Sequence, residues 1–359
     1  MFRKIAEGDV YANSADGKVV AGSRIAVLPD GKLICSFNEQ TKLGSNDYAP
    51  MIAYSEDGEH WSEAKYVWPE LVGKKCIYGA VRNTLDGRVC IGGFVFPSCS
   101  DEDSYWSDEV GGMLENKLII SISDDGYNFP LPTEVELPYY GSAENPGGAL
   151  VDRDGSISIL YAPYKTIEQR EEVKLNHICI AKSVDGGNSF KGYSFGEIDA
   201  PCQYAESWLV RLSDNCHMIS TWQTAVTEGT DQYMLSFDGG ETFSEPKVMP
   251  FNGQSTALEV WKDGKVFVIY NLRNVEPAGV WLALAQPDEN GFNMIANEPV
   301  WFAKDATHGD TSGEFDQWTD FAFGEPHIKV LPDGNLLACL WYDQGGKKGI
   351  RYVKLALEE

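Results

Sequence analysis

Short runs of apolar residues alternate with turn sequences along the whole chain. Most of the alternation has the two-residue period of half-buried β-strands, and only "KTIEQREEVK" (165–174) predicts a helical turn or two. Six segments share one plan, in which an apolar strand leads through a turn, usually Asp-Gly, into a second apolar strand. They are "SRIAVLPDGKLICSF", "GAVRNTLDGRVCIGGF", "GGALVDRDGSISILYAP", "ESWLVRLSDNCHMISTW", "TALEVWKDGKVFVIYN" and "EPHIKVLPDGNLLACLW". Their turn aspartates are Asp30, Asp86, Asp154, Asp214, Asp263 and Asp333.

A second turn motif follows most of these hairpins. "SVDGGNSF" (183–190) and "SFDGGETF" (236–243) have the form S-x-D-x-G-x-x-aromatic, "SEDGEHW" (55–61) and "SDDGYNF" (123–129) are one residue shorter, and "QPDENGF" (286–292) is a degenerate fifth. In each we predict that the Asp side chain accepts backbone N–H bonds, that Gly supplies a positive φ and that the aromatic ring packs over the turn. These aspartates are interpreted as structural.

Two hairpins per repeat make a four-stranded antiparallel sheet, and arranging such sheets radially protects their edges. The predicted fold class is therefore all-β: a six-bladed β-propeller of four-stranded blades. We expect residues 1–359 to form a single domain, with the N-terminal strand around "DVYA" pairing with "GIRYVKLAL" in the last blade to close the ring. A pair of β-sandwiches and a seven-bladed ring are the alternatives.

The net charge and the cysteines indicate which partners and which cellular compartment the sequence favours. With 29 Lys+Arg against 54 Asp+Glu, the formal charge of −25 disfavours nucleic acid and anionic membranes as partners. No leader peptide or run of 18 apolar residues is present, so we expect a cytoplasmic protein. The eight cysteines lack metal-ligand spacing and are predicted to be reduced, mostly buried thiols. No cofactor or metal is expected, although the acidic residues 101–108 are of the type that binds Ca²⁺.

The Ser-Asp-Gly turns in a six-bladed pattern resemble the sialidase (neuraminidase) superfamily, and the resemblance covers essentially the whole chain. In that family an arginine opens the inner strand of the first blade, which implies Arg24 in "SRIAVLPDG". The acid/base Asp precedes the first such turn, which implies Asp47. A Glu opens a later inner strand, which implies Glu206, eight residues before Asp214. The nucleophilic Tyr opens the closing blade, where the same offset from the turn aspartate falls on Glu325.

This chain departs from the family pattern in ways that affect the substrate. The family holds the substrate carboxylate with three arginines; Trp222 lies near the place of the second, and the third corresponds to Arg273 in a different register. A sialic acid has a carboxylate on its anomeric carbon, which repels a carboxylate nucleophile but not a phenol. Glu325 in place of Tyr and an incomplete arginine set both favour a neutral or uronic sugar.

Glycoside hydrolysis normally uses two carboxyl groups, one of them protonated. We assign Asp47 as acid/base, Glu325 as nucleophile or base and Glu206 as its electrostatic partner, with Arg24 and His327 binding substrate. Trp222, Trp318 and the aromatics of "DEDSYWSDE" are candidate sugar-stacking surfaces. Structural alternatives remain for several of them: Asp47 as a turn residue, His327 as a core histidine, and the two glutamates as ligands of loop amides.

Four functions remain open at this level, all with a carbohydrate partner. The leading one is a sialidase-like hydrolase that cleaves a terminal glycosidic bond at the propeller mouth. The others are a polysaccharide lyase acting on a uronate, a true exo-sialidase, and a glycan-binding propeller without catalysis. In the lyase His327 or a Tyr would act as the base and Arg24 would neutralise the uronate.

Overall fold

The structure is a computed structural model that describes residues 1–14, 17–197, 203–224, 228–307 and 319–358. The first half of the chain contains β1 (Phe2–Ser14), β2 (Val19–Val27), β3 (Leu33–Gln40), β4 (Ser45–Asn46), β5 (Ala49–Ser55), β6 (Lys65–Tyr66), β7 (Cys76–Asn83), β8 (Val89–Phe96), β9 (Ser100–Ser104), β10 (Trp106–Ser107), β11 (Gly112–Met113), β12 (Lys117–Ser123), β13 (Thr133–Val135), β14 (Ser142–Glu144), β15 (Ala149–Val151), β16 (Ile157–Thr166) and β17 (Ile178–Ser183). The second half contains β18 (Lys191–Phe195), β19 (Gln203–Arg211), β20 (His217–Thr224), β21 (Glu228–Ser236), β22 (Lys247–Val248), β23 (Gln254–Val260), β24 (Val266–Leu272), β25 (Gly279–Ala285), β26 (Met294–Phe302), β27 (Phe323–Val330), β28 (Leu336–Gln344) and β29 (Lys347–Leu357). Two 3₁₀ turns cover Pro69–Leu71 and Lys262–Gly264.

These strands form an all-β propeller with four-stranded antiparallel blades. The first blade is β2-β3-β5-β6, the second β7-β8-β12-β13, the third β19-β20-β21-β22 and the fourth β23-β24-β25-β26. The closing blade is β27-β28-β29-β1. In the first four of these blades the order of strands follows the chain, whereas in the closing blade the outermost strand is the N-terminal β1.

In the described part of the chain there are five four-stranded blades and not the six that were predicted. The third predicted hairpin belongs to a seven-stranded sheet, in which β15-β16-β17-β18 pair in order while β10, β11 and β14 extend the sheet. Two of the extra strands, β10 and β11, come from residues 97–116, an insertion between β8 and β12. Strand β11 pairs parallel to β16, and a Cβ on Gly112 would lie 2.6 Å from the Lys165 carbonyl oxygen. Only glycine permits this close approach of the two backbones.

The N-terminal strand lies in the same blade as the C-terminal one. Strand β1 pairs antiparallel with β29 from Phe2↔Leu357 to Ser14↔Lys347, as the alternating pattern of both segments predicts. Inner strand β2 contacts β7 and β27, and β23 contacts β27 and β19, while β19 also contacts β16 of the seven-stranded sheet. A cluster that includes Ile25, Cys35, Leu337 and Cys339 packs the first blade against the closing blade. Apolar contacts between blades therefore stabilise the ring.

The predicted hydrogen bonding of the Ser-Asp-Gly turns is confirmed. In the turn at 236–243, Asp238 Oδ1 accepts bonds from the backbone N–H groups of Glu241 and Thr242, both at 3.0 Å. Ser236 Oγ accepts the Gly240 N–H at 2.8 Å, and Gly240 has φ 82°. Asp57, Asp125, Asp185 and the degenerate Asp288 accept backbone N–H groups in the same manner. These carboxylates are occupied by their own turns.

Seven cysteines lie in the described part of the chain, and none of these seven forms a disulfide. Five are buried and two, Cys99 and Cys216, are half-buried. Among the described residues no group of three or more His, Cys, Asp or Glu is placed to hold a metal ion. In the same part of the chain no helix is long and apolar enough to cross a membrane.

Candidate active site

The site is built from residues that open the inner strands of different blades. In β19 the pairing with β20 shifts between Ala205 and Trp208, and in β27 the pairing with β28 shifts between Gly324 and His327. At each shift a glutamate has a left-handed backbone, with φ 51° at Glu206 and 45° at Glu325. A non-glycine residue in this region costs about 1–2 kcal/mol, and such strain is concentrated at functional sites. The two bulges turn Glu206 and Glu325 away from the regular alternation of the strand.

Glu325 is held by a phenol and an arginine. The Tyr78 hydroxyl donates to Glu325 Oε1 at 2.9 Å, and Arg24 Nη2 lies 3.8 Å from the same oxygen. The Glu325 side chain remains 22% exposed, whereas Arg24 is 2% exposed. The Glu325 carboxylate is thus partly exposed at the mouth, whereas its partners Tyr78 and Arg24 are buried.

The Arg24 guanidinium donates hydrogen bonds to other groups of the protein. Nε donates to the Pro146 carbonyl at 2.9 Å, and Nη1 donates to the carbonyls of Ser23 at 2.8 Å and Glu325 at 3.2 Å. Nη2 donates to the Tyr78 hydroxyl at 3.4 Å. Because each nitrogen already has a protein acceptor, Arg24 links the strand openings of the first and closing blades to the Pro146 segment.

Glu144, at the end of β14, lies against Glu206. The Glu206 backbone N–H donates to Glu144 Oε2 at 2.8 Å. Burial first, then the charge of Glu206 and, to a smaller extent, that of Glu325 together raise the pKa of Glu144 to about 8, while the Glu206 backbone N–H and Arg24 act in the opposite direction. At neutral pH Glu144 therefore carries its proton, as a general acid requires.

Aromatic side chains line the neighbouring part of the site. Tyr78 stacks on Phe94 with ring centroids 5.0 Å apart and meets Tyr48 edge to face at 5.7 Å. The Tyr48 and Tyr105 hydroxyls are hydrogen-bonded at 3.2 Å. Tyr105 comes from the inserted segment 97–116, as does the half-buried Trp106, whose ring lies 5.9 Å from Tyr164. The insertion thus places Tyr105 beside Tyr48, whose ring contacts Tyr78.

Asp47 has a local role in the structure. Both of its carboxylate oxygens accept the Thr41 backbone N–H at 3.1 Å, and Oδ2 also accepts the Thr41 hydroxyl at 2.6 Å. These three hydrogen bonds from Thr41 make Asp47 part of the loop that contains both residues. A turn residue is the structural alternative to the acid/base role given above.

His327 is buried within the blade packing. Its Nδ1 accepts the Ile25 backbone N–H at 3.1 Å, and its ring lies 5.3 Å from that of Trp208. Burial holds the pKa of His327 well below its ordinary value, and the nearby positive charges of Arg24, Lys329 and Arg82 lower it further. A neutral imidazole that joins two inner strands is the structural alternative stated above.

The other predicted residues are distributed as follows. Arg273 is buried and donates through Nε at 3.0 Å and Nη2 at 2.6 Å to the Phe323 carbonyl, two residues before Glu325. Its Nη1 donates to Gln254. Trp222 is 3% exposed and packs in a cluster with Tyr204 and Leu209, so its ring offers little surface to a sugar. Trp318 lies outside the described residues.

The structure adds two residues, Tyr78 and Glu144, that sequence reasoning missed. Tyr78 precedes Asp86 by eight residues, the same offset that relates Glu206 to Asp214 and Glu325 to Asp333, so the repeat contained a signal for it. Glu144 precedes its turn aspartate, Asp154, by ten residues. Pro146 and two glycines break the strand between them, and no periodic signal identifies this glutamate.

Solved structures share this arrangement of blades. No family model and no curated protein matches the sequence. A protein of unknown function from Dyadobacter fermentans is 16% identical, with TM-score 0.76 and 99% of each chain covered. The NanB sialidase of Streptococcus pneumoniae is 13% identical, with TM-score 0.64, over 99% of this chain and 70% of that one. The fold is that of sialidase-like propellers.

An α-L-arabinanase of Penicillium chrysogenum, solved with arabinobiose, has the same propeller fold. It is 12% identical, with TM-score 0.65, and the match covers 98% of both chains. At these identities the similarity establishes the propeller fold alone, and function has to be argued from the site.

Proposed function

We propose that the chain is a glycoside hydrolase that cleaves a terminal sugar lacking an anomeric carboxylate. The observation that carries the proposal is Glu144, a carboxyl group with its pKa raised to about 8 and in contact with the backbone of Glu206. A protonated acid beside other carboxylates is what glycosidic cleavage needs at neutral pH.

Each carboxyl group has a role in the proposed reaction. Glu144 replaces Asp47 as the general acid and protonates the leaving oxygen. Glu325, hydrogen-bonded to Tyr78 and paired with Arg24, is the nucleophile or base. Glu206 supplies the like charge that keeps the proton on Glu144. Asp47, which is bound to Thr41, is given no part in the proposed reaction.

The arginines support a substrate without a carboxylate at the cleaved position. Arg24 and Arg273 donate to protein carbonyls, as does Arg82, which donates to Gly147 and Leu209. A substrate carboxylate would have to displace these bonds and would face Glu206 and Glu325, so like-charge repulsion disfavours it.

These contacts favour hydrolysis over the alternatives. A lyase would need a free base and a free arginine for the uronate, but His327 Nδ1 and the Arg24 nitrogens have protein partners. We also propose that the seven-stranded sheet takes the place of a sixth blade and that the chain is one domain. In that arrangement Glu144 enters the mouth from the sheet between the second and third blades.

The experiment is a panel of aryl glycosides of neutral sugars, uronic acids and sialic acid. We expect release from a neutral glycoside only, with a rate that falls above about pH 8 as Glu144 loses its proton. Glu144→Gln should lower kcat by about 10²–10⁴-fold, the usual contribution of a general acid. Glu102→Gln, exposed on β9, is the matched control and should leave kcat unchanged. Efficient sialoside release, or full activity of Glu144→Gln, would refute the proposal.

A further inference from the structure

Tyr78 is the phenol that contacts the carboxylate assigned to the reaction. Its hydroxyl donates to Glu325 Oε1 at 2.9 Å and accepts from Arg24 Nη2 at 3.4 Å. The side chain is 4% exposed, and its ring is fixed by stacking on Phe94 at 5.0 Å. Tyr48 packs edge to face on the ring at 5.7 Å. The phenol therefore has one orientation, with its oxygen at Glu325.

The backbone opposite Tyr78 leaves room for the hydroxyl. Gly22 has φ 68°, and a Cβ at this position would collide with the Tyr78 ring and hydroxyl. Gly22, Tyr78 and Glu325 each lie eight residues before the turn aspartate of their hairpin. At these equivalent positions Gly22 leaves space, Tyr78 is the hydrogen-bond donor and Glu325 is the acceptor, and all three meet at one point of the mouth.

The charges around Tyr78 keep its proton on the phenol. Burial raises the pKa of Tyr78 well above its ordinary value of 10.0. Glu325 raises it through its charge and hydrogen bond, Tyr48 adds a smaller effect, and Arg24 acts in the opposite direction. A phenol under these conditions donates a hydrogen bond and is a poor nucleophile, because only its deprotonated form attacks carbon readily.

From this geometry we propose that Tyr78 is a positioning residue for Glu325, an inference that rests on the proposed function. The Tyr78 hydroxyl binds Oε1 and fixes the carboxylate, so that Oε2 is the atom that acts on the substrate or its attacking water. Tyr78 keeps its proton throughout and forms no bond to the sugar. A hydrogen bond to a charged acceptor is stronger than one between neutral groups, so the Tyr78 hydroxyl holds the carboxylate in one orientation.

The kinetic test is Tyr78→Phe, which keeps the ring and removes only the hydroxyl. We expect kcat to fall about 10- to 150-fold, the effect of losing a hydrogen bond to a charged group, with KM nearly unchanged. Tyr161→Phe, another buried tyrosine on β16, is the control and should change neither quantity.

A second measurement does not require activity. In a double-variant cycle of thermal unfolding, Tyr78→Phe and Glu325→Gln should destabilise the protein non-additively, whereas Tyr161→Phe and Glu325→Gln should be additive. Additivity at Tyr78 would overturn the inference even if no substrate had been found. Non-additivity with an unchanged kcat would make the bond structural only and would also overturn the inference. A covalent sugar adduct on Tyr78 would also overturn it, since the phenol would then be the nucleophile.

Discussion

The aspartates of the Ser-Asp-Gly turns, such as Asp238, and the glutamates of the proposed site, Glu144, Glu206 and Glu325, are two sets of carboxyl groups in opposite environments. Asp238 accepts two backbone N–H groups, and the hydroxyls of Thr242 and Ser236 donate to it. The bonds from Thr242 hold the pKa of Asp238 below its ordinary value. Glu144 accepts one backbone N–H and faces two other carboxyl groups, and its pKa rises to about 8. The balance of donors and like charges, with the degree of burial, decides which carboxyl keeps its proton.

The two sets also differ in how they are built. In the four Ser-Asp-Gly turns the aspartate carboxylate is bound by residues within four positions of it, so one short motif makes the whole environment. The mouth joins residues from distant parts of the chain: Glu206 and Glu325 lie at bulges near the starts of β19 and β27, and Glu144 lies at the end of β14. Local motifs therefore stabilise the blades, whereas chemistry depends on how the blades are assembled.

The largest expected effect on stability comes from the pH dependence due to Glu144. As pH rises from its ordinary pKa of 4.5 towards about 8, the unfolded chain loses the proton at Glu144 while the folded chain keeps it. The folded state should therefore lose stability over this range, at roughly 1.4 kcal/mol per pKa unit, or a few kcal/mol in total. Urea unfolding at several pH values, compared between wild type and Glu144→Gln, measures the difference. Equal pH slopes in the two proteins would contradict it.

A smaller effect is expected at a turn. Asp238→Ala removes the acceptor of two backbone N–H groups and should lower the free energy of unfolding by about 1–2 kcal/mol. Because the pKa of Asp238 is lowered in the folded chain, this stabilisation is present above pH 3.8 and is lost as pH falls. Asp238→Asn, which keeps an acceptor oxygen, is the matched control and should lose less. Turnover should be unaffected, and a loss of turnover in Asp238→Ala would mean that the two sets are not separate.

The smallest effect concerns backbone strain at the mouth. At Glu325 the φ of 45° favours glycine, so Glu325→Gly should be more stable than Glu325→Ala by about 1 kcal/mol. Both variants remove the carboxylate, so the difference isolates the backbone. Thermal unfolding of the two variants measures it. An alanine variant as stable as the glycine variant would show that the bulge is not strained in solution.

The blades could be predicted from sequence because their signals are local. Each Asp-Gly hairpin and Ser-Asp-Gly turn carries its own hydrogen bonds, as at Asp57 and Asp125. The seven-stranded sheet could not be predicted, because the parallel pairing of β11 with β16 joins an insertion to a distant strand through Gly112. A sixth four-stranded blade was expected because the hairpin repeat contains no information about this pairing.

The sequence allowed site residues to be predicted only at positions that the hairpin repeat defines. The eight-residue offset located Glu206 and Glu325, and it also contains Tyr78, which was not recognised. The acid/base role given to Asp47 came from the family resemblance, whereas its bonds to Thr41 depend on a loop conformation that sequence does not specify. The raised pKa of Glu144 results from burial and from Glu206, sixty-two residues away, and no local pattern encodes it.

The most direct test is the pKa of the Glu144 carboxyl group, measured by carbon NMR of side-chain carboxyls and assigned by the signal missing in Glu144→Gln. We predict titration near pH 8, moving to lower pH in Glu206→Gln because a like charge is removed. Titration near the ordinary value of 4.5, unchanged in Glu206→Gln, would contradict the assignment of Glu144 as the acid.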